Sequence, residues 1–234
     1  MLSRRIHISS RHFFSTHSGG GGVCLVPNFI DGVFEQSKAT QWTDVIDPAT
    51  QKILAKVPQS TSDELKRAEA GAKEAFKIWK EVPVQQRQRV FFELQRLIRE
   101  HTEEIAEIIT KEQGKTLADA RGDIFRGLEV VETTCAVGHL LMGETAGNLS
   151  RGLDSYSYKQ PLGVTAGICP FNFPAMIPLW MFPVSAACGN TMILKPSEKV
   201  PGAAMLLVKL AQKAGLPNGT VTHRLLFYPK TVTT

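Results

Sequence analysis

The sequence predicts an α/β fold whose parallel sheet lies in the second half of the chain. Residues 160–194 carry no charge, and the apolar runs at 162–168 and 191–194 have the length and composition of internal parallel strands. A helix is predicted at 202–214, after the second of these runs. Strand, helix, strand and helix thus follow one another, which is the order of a sheet built from parallel crossovers.

A charge-free stretch of this length also fits a transmembrane helix. Its prolines argue against that alternative, because each one removes a backbone donor and interrupts a helix. Asn172 would also need a hydrogen-bond partner inside the lipid. We therefore favour a buried crossover through a proline-rich loop and a helix, and we predict no membrane span.

The first half of the chain is predicted to open with short strands and to continue with amphipathic helices. The strands are expected at 32–35, 42–46 and 53–57. Thr61 and Glu64 form a possible capping box at the start of the first helix. The apolar pattern then predicts a long helix or a helix pair that is broken near Gly114, a third helix at 117–141 and a strand at 156–158.

The net charge of +5 owes much to the start of the chain, where no acidic residue precedes Asp31. This basic, Ser-rich segment predicts a mitochondrial transit peptide at 1–22, and hence a protein of the mitochondrial matrix. A disordered tail that is basic by chance is the alternative. Because the rest of the chain has little excess charge, no nucleic-acid partner is expected.

The cysteines show no CxxC pair and no histidine at metal-ligand spacing. They are Cys24, Cys135, Cys169 and Cys188. We predict neither a disulfide framework nor a metal site, and we expect small buried thiols.

Three motifs resemble the coenzyme domain of the aldehyde dehydrogenase superfamily. They are PFNFP at 170–174, GN at 189–190 and KPSE at 195–198. The segments at 122–128, 156–158, 161–164 and 170–183 are similar to the CoA-acylating methylmalonate-semialdehyde subfamily. No GxGxxG follows the first parallel strand, and the superfamily also lacks that fingerprint.

The resemblance implies an aldehyde dehydrogenase-like fold, of which this chain holds an N-terminal helical segment and the first β-α-β-α of a Rossmann-like coenzyme domain. It predicts a partial NAD-binding domain at 27–220 with an oligomerisation arm near 145–160, in a parent protein that forms homotetramers. Residues 221–234 resemble nothing in the family and are predicted to be an aberrant tail. The sheet of such a truncated chain would expose an unpaired strand.

Asn172 is the candidate oxyanion donor. Attack of a thiolate on an aldehyde turns the carbonyl oxygen into an alkoxide, and one fixed donor contributes on the order of 3 kcal/mol to that transition state. The resemblance implies this role for the side-chain amide of Asn172. From the residues alone, an asparagine in a proline-rich segment also fits a simple turn.

The candidate coenzyme-binding residues are Cys169, Phe171, Lys195, Glu198 and Lys199. By resemblance, Cys169 and Phe171 meet the cofactor through backbone and ring. Lys195 and Glu198 would bind ribose hydroxyls, and Glu198 would repel a 2′-phosphate, which favours NAD over NADP. The charge of Lys199 opposes that preference. The alternative is a helix N-terminus with Ser197 as its cap and Glu198 in the first turn.

Arg126 is the candidate substrate-binding residue. It lies in an apolar helical setting, and a guanidinium binds a carboxylate in bidentate fashion better than a lysine does. A substrate that is itself a carboxylate would therefore find a partner here. The alternative is a surface ion pair with Asp123 or Glu129.

The resemblance implies NAD-dependent oxidation of methylmalonate or malonate semialdehyde to propionyl-CoA or acetyl-CoA, with CoA as co-substrate and loss of CO2. The family's catalytic cysteine and general-base glutamate are expected in a second half that this sequence lacks, so the chain is predicted to be inactive alone. Two alternatives stay open. One is a non-catalytic product that at most associates with full-length subunits, and the other is a different semialdehyde dehydrogenase.

Overall fold

The computed structural model describes residues 23–223. The predicted transit peptide and all but the first three residues of the predicted tail lie outside this range. The predicted α/β class is confirmed, because helices and parallel strands alternate in the second half of the chain.

Five short strands open the fold: β1 (Cys24–Leu25), β2 (Asn28–Ile30), β3 (Val33–Glu35), β4 (Trp42–Ile46) and β5 (Ile53–Pro58). Strands β1, β5 and β4 form a small sheet in that order. The other two join a second sheet, whose remaining strands come from the far end of the chain. The predicted strands of this region are therefore present.

Five helices follow: α1 (Ser62–Trp79), α2 (Val84–Glu100), α3 (Thr102–Gln113), α4 (Leu117–Thr134) and α5 (Val137–Leu140). The predicted capping box is confirmed, because Thr61 accepts from the backbone of Glu64 and the Glu64 carboxylate accepts from the backbone of Thr61. Gly114 ends α3 with a left-handed φ of 88°, where the sequence predicts a break.

The predicted single helix at 117–141 is wrong only after residue 134. Helix α4 ends at Thr134, and only the short α5 follows. The backbone of Ala136 leaves the helical region with φ −98° and ψ 13°, so the hydrogen-bond ladder is interrupted there. An apolar pattern continues across such a break, which is why periodicity misses it.

The remaining elements are β6 (Thr145–Ser150), β7 (Leu153–Tyr156), β8 (Val164–Ile168), α6 (Met176–Ala187), β9 (Thr191–Lys195), α7 (Gly202–Lys213) and β10 (Val221–His223). Strands β6 and β7 form an exposed hairpin. The strand predicted at 156–158 lies earlier in the chain. Strand β7 ends at Tyr156, which pairs with Thr145, and beyond it the backbone N–H of Ser157 still donates to the carbonyl of Glu144 over 2.9 Å. Strand β8 begins later than predicted because Gly163 has a φ of 125°.

The second sheet has the order β3-β2-β10-β9-β8. Strands β8, β9 and β10 run parallel, and β2 pairs antiparallel with β10. Val221–His223, the first three residues of the predicted tail, pair with β9 and β2 in this sheet. Within the described range, β3 and β8 each have a neighbouring strand on one side only, so they are the two edges of this sheet.

Helices α4 and α6 pack closely against each other beside this sheet. Gly127 permits the contact, because a Cβ added there would lie 2.7 Å from Cδ1 of Leu179. Phe91 and Phe182 are fully buried in the same core. This packing sets α4 against the loop that precedes α6. Of the helices between residues 23 and 223, none is long and apolar enough to cross a membrane.

Candidate coenzyme and oxyanion site

The two loops that carry most of the predicted site residues leave adjacent strands of the parallel sheet. Ile168, at the end of β8, is in register with Lys195, at the end of β9. The backbone N–H of Cys169 donates to the carbonyl of Lys195 over 2.8 Å. Nucleotides bind outside the carboxyl ends of strands in sheets of this kind. The loops at 169–175 and 196–201 therefore begin at the expected edge.

A cleft of about 430 Å³ lies beside these loops. Phe171, Glu198 and Lys199 line it, together with residues of β4 and the end of α3. The ammonium of Lys199 lies 5.1 Å from the ring centroid of Phe171, within cation–π range. The structure thus brings three predicted coenzyme residues to one open cavity.

Lys195 and Cys169, the other two predicted coenzyme residues, lie at the start of the same two loops. The Lys195 ammonium donates to the carbonyl of Pro196 over 3.0 Å and pairs with the Glu198 carboxylate at 3.4 Å. Cys169 is buried, and burial raises the pKa of its thiol to about 12. A neutral thiol in that position contributes backbone and volume to the site, and no nucleophile.

The alternative of a helix that starts at Ser197 is wrong. Helix α7 begins at Gly202, after Pro201 in the N-cap position. The Ser197 hydroxyl accepts instead from the backbone N–H of Lys199 over 3.2 Å, which is the local bond of a turn. Glu198 is therefore on a loop whose direction is set by that turn.

Asn172 is exposed, and its two polar ends differ in their bonding. Its backbone carbonyl accepts a 2.7 Å hydrogen bond from the ammonium of Lys115. Its side-chain amide makes no hydrogen bond to any residue that the structure describes. The side-chain amide is thus available to a ligand, whereas the backbone of Asn172 is held by Lys115.

Arg126 is exposed on α4 near the same loop. Its guanidinium carbon lies 6.0 Å from the ring centroid of Phe173, the residue that follows Asn172. The alternative ion pair is absent, since no described carboxylate pairs with Arg126. Asp123 pairs with Lys115 instead, at 3.2 Å. Arg126 therefore has no ion-pair partner among the described residues, although its charge opposes the rise that burial causes in the pKa of Asp123.

Sequence reasoning missed Lys115, and it named Asp123 only as a possible ion-pair partner of Arg126. The Asp123 side chain is fully buried, and its second oxygen accepts from the backbone N–H of Met176 over 2.7 Å. Burial raises the pKa of Asp123, while the bond from Met176 and the charge of Lys115 oppose the rise. The available signal was an acidic residue on the buried stripe of α4, between Ala120 and Ile124.

Glu112 was missed as well, although it lines the cleft. It is buried near the end of α3, and its carboxylate accepts from the backbone N–H of Gly202 over 2.9 Å. The other carboxylate oxygen has no partner among the described residues. Burial raises the pKa of Glu112 to about 8, and the bond from Gly202 opposes that rise.

The chain shows clear similarity to known proteins. Residues 34–224 match the model of the aldehyde dehydrogenase family. A methylmalonate-semialdehyde dehydrogenase [acylating], mitochondrial, of Arabidopsis thaliana is 57% identical over 196 residues, which are 84% of this chain and 32% of that protein. The methylmalonate-semialdehyde/malonate-semialdehyde dehydrogenase [acylating], mitochondrial, of Homo sapiens is 53% identical, with 91% of this chain and 40% of that protein covered.

The chain is also similar in structure to solved proteins that carry the same enzyme name. The methylmalonate-semialdehyde dehydrogenase of Oceanimonas doudoroffii superposes with a TM-score of 0.85 at 39% identity, covering 87% of this chain and 42% of its own. A protein of Sinorhizobium meliloti 1021 assigned to the same enzyme, complexed with NAD, gives a TM-score of 0.86 at 38% identity, over 89% and 42% of the two chains. The chain spans less than half the length of these proteins, and it belongs to the aldehyde dehydrogenase family.

Proposed function

We propose that this chain supplies the coenzyme cleft and the oxyanion donor of an NAD-dependent, CoA-acylating methylmalonate-semialdehyde dehydrogenase. The reaction would oxidise methylmalonate or malonate semialdehyde to propionyl-CoA or acetyl-CoA, with loss of CO2. The observation that carries the proposal is the meeting of the Asn172 loop and the Glu198 loop at adjacent strand ends, in a chain similar to enzymes of that name. Those relatives are mitochondrial by name, which supports a place in the mitochondrial matrix.

The residues of the cleft fit an adenosine diphosphate group. Phe171 offers a ring face, while Lys195 and Glu198 offer a donor and an acceptor for ribose hydroxyls. The Glu198 carboxylate disfavours a 2′-phosphate, whereas Lys199 lies over Phe171 and provides a positive charge. NAD, when bound, supplies a hydride acceptor.

The proposed roles at the reacting centre belong to Asn172 and Arg126. The unpaired amide of Asn172 donates to the alkoxide that forms when a thiolate attacks the aldehyde. The unpaired guanidinium of Arg126 binds the carboxylate end of the substrate. In the active dehydrogenase that contains this sequence, we expect Arg126→Leu to raise KM for methylmalonate semialdehyde. An unchanged KM would contradict the role of Arg126.

The attacking thiolate is not expected from this chain. Burial raises the pKa of the thiols of Cys24, Cys135, Cys169 and Cys188, to about 11 for Cys135 and about 12 for Cys169. A thiol with such a pKa is neutral near pH 7 and is a poor nucleophile. We therefore propose that the chain alone binds NAD but does not turn over.

The β6–β7 hairpin is proposed as the oligomerisation arm of a homotetrameric parent enzyme. All of its strand residues are exposed, including Leu149 at 64% and Tyr156 at 61%. Apolar side chains grouped on an exposed hairpin are typical of a surface that another chain covers.

Calorimetric titration of the purified chain with NAD and with NADP tests the proposal. We expect NAD to bind more tightly than NADP. Glu198→Gln should reduce the difference between the two affinities, because it removes the carboxylate that repels a 2′-phosphate. Lys73→Met, on an exposed face of α1, serves as the control. Tighter binding of NADP, or no binding of either, would contradict the coenzyme assignment. NADH formation from malonate semialdehyde, CoA and NAD would contradict the proposed inactivity.

A further inference from the structure

Lys115 lies beneath the Asn172 loop because of the way α3 ends. Gly114 takes a left-handed φ of 88° at the end of that helix and redirects the chain. The side chain of Lys115 is then only 13% exposed. Its ammonium donates to the carbonyl of Asn172 over 2.7 Å and lies 4.9 Å from the ring centroid of Phe173. One cation thus contacts two successive residues of the loop.

Asp123 holds this cation in place. Its carboxylate lies 3.2 Å from the Lys115 ammonium through one oxygen and accepts from the backbone N–H of Met176 through the other. Met176 is the first residue of α6, directly after the loop. The same carboxylate therefore joins α4, the lysine and the far end of the loop. A fully buried carboxylate bonded on both oxygens holds its partners in a narrow range of positions.

We propose that Lys115, held by Asp123, is a positioning residue for the oxyanion donor Asn172. This inference rests on the proposed function of Asn172. The side-chain amide of Asn172 has no described partner to orient it, so its direction depends on the backbone that Lys115 anchors. A displacement of about 1 Å at a reacting centre can lower a rate about 100-fold, so the anchor matters for catalysis.

A double-mutant cycle in the active dehydrogenase that contains this sequence tests the inference. Asn172→Ala removes the donor, and Lys115→Met removes the anchor. We expect each single variant to lower kcat by about 100-fold, on the scale known for one oxyanion donor. We expect the double variant to be no slower than Asn172→Ala, because the anchor has nothing left to position. A purely structural role for Lys115 would make the two losses multiply.

The controls separate this inference from the function on which it rests. Lys73→Met should keep the wild-type kcat, because Lys73 is exposed and distant in the chain. Lys115→Arg, which retains a cationic donor, should recover part of the kcat lost in Lys115→Met. ADP-ribose should bind all variants with unchanged affinity, since the adenosine cleft is intact. Should Lys115→Met fail to fold, Lys115→Gln enters the same cycle.

Four results would overturn these assignments, and they bear on different residues. A wild-type kcat in Lys115→Met, or multiplicative losses in the double variant, would overturn the positioning role. An undiminished kcat in Asn172→Ala would overturn the proposed function of Asn172 itself. Amide exchange gives a second readout: peptides that cover residues 170–176 should exchange faster in Lys115→Met than in Lys73→Met, and equal exchange would contradict the anchor.

Discussion

Helices α6 and α7 begin in the same way, but they differ in electrostatics. Each follows a loop that leaves a parallel strand, and neither has a side-chain cap from its own N-cap residue. In each case, a buried carboxylate from an earlier helix, α4 or α3, accepts a hydrogen bond from the backbone N–H of the first residue of the helix. Asp123 accepts from Met176 over 2.7 Å, and Glu112 accepts from Gly202 over 2.9 Å. A carboxylate is favoured at both places because a helix N-terminus is positive.

The difference lies in what surrounds the two carboxylates. Asp123 pairs with Lys115, so both of its oxygens have partners. Glu112 has no described cation within ion-pair distance, and one of its oxygens has no described partner. Lys111 and Asp47 line one neighbouring cavity with it, and Glu198 and Lys199 line the coenzyme cleft with it. The comparison teaches that the loop at 169–175 is held by a carboxylate with a cationic partner, whereas the loop at 196–201 is held by a carboxyl group that can be protonated.

The largest expected effect is that of Asp123→Ala. The substitution leaves the partly buried Lys115 ammonium without its carboxylate and the Met176 N–H without its acceptor. Removing one partner of a buried ion pair typically costs about 3–5 kcal/mol of unfolding free energy. Urea denaturation measures the loss, with Glu107→Ala on the exposed face of α3 as the matched control. A loss equal to that of the control would contradict the idea of compensated charge.

Gly202→Ala, beside the Glu112 carboxylate, should have the next largest effect on the free energy of unfolding. A Cβ at this position would lie 2.5 Å from a Glu112 oxygen and 2.7 Å from Cγ2 of Ile108. Overpacking of this kind costs about 1–3 kcal/mol, so the unfolding free energy should fall by that amount. The same substitution at Gly147, whose added Cβ would meet nothing closer than 3.8 Å, is the control in thermal and urea unfolding. Equal losses at the two glycines would show that Glu112 does not pack against α7 as described.

The last expected effect is the pH dependence of stability that Glu112 introduces. Its pKa is raised from 4.5 to about 8 by burial, so the folded state retains a proton that the unfolded state releases. The contribution of Glu112 to the free energy of unfolding is therefore fully present below pH 4.5 and is lost as the pH rises towards 8. Glu112→Gln removes this titration, so its free energy of unfolding relative to wild type should rise as the pH increases across that window.

Unfolding at pH 5 and at pH 8 measures this trend. Glu107→Gln, an exposed position on the same helix, is the control and should follow the wild type. A constant difference between Glu112→Gln and wild type at both pH values would show that Glu112 is already ionised in the folded protein.

Much of the fold could be predicted from short sequence patterns, because helix caps and helix breaks depend on residues close together in the chain. The capping box at Thr61 and Glu64 requires only residues of one turn, and the helix break at Gly114 requires only its tolerance of positive φ. The end of α4 near Ala136 could not be predicted, since apolar spacing persists across a bend. Strand β10 was missed because its partners β9 and β2 are distant in the chain.

By itself, the sequence determined the α/β class, the parallel strands and the candidate residues at their ends, because periodicity and proline placement act over a few residues. Only the tertiary structure decided which charges meet. Lys115 reaches Asn172, and Glu112 reaches Gly202, across long separations in the chain. The physical reason is that a buried charge is stable only where a partner from another element satisfies it, and spacing along the chain does not record that partner.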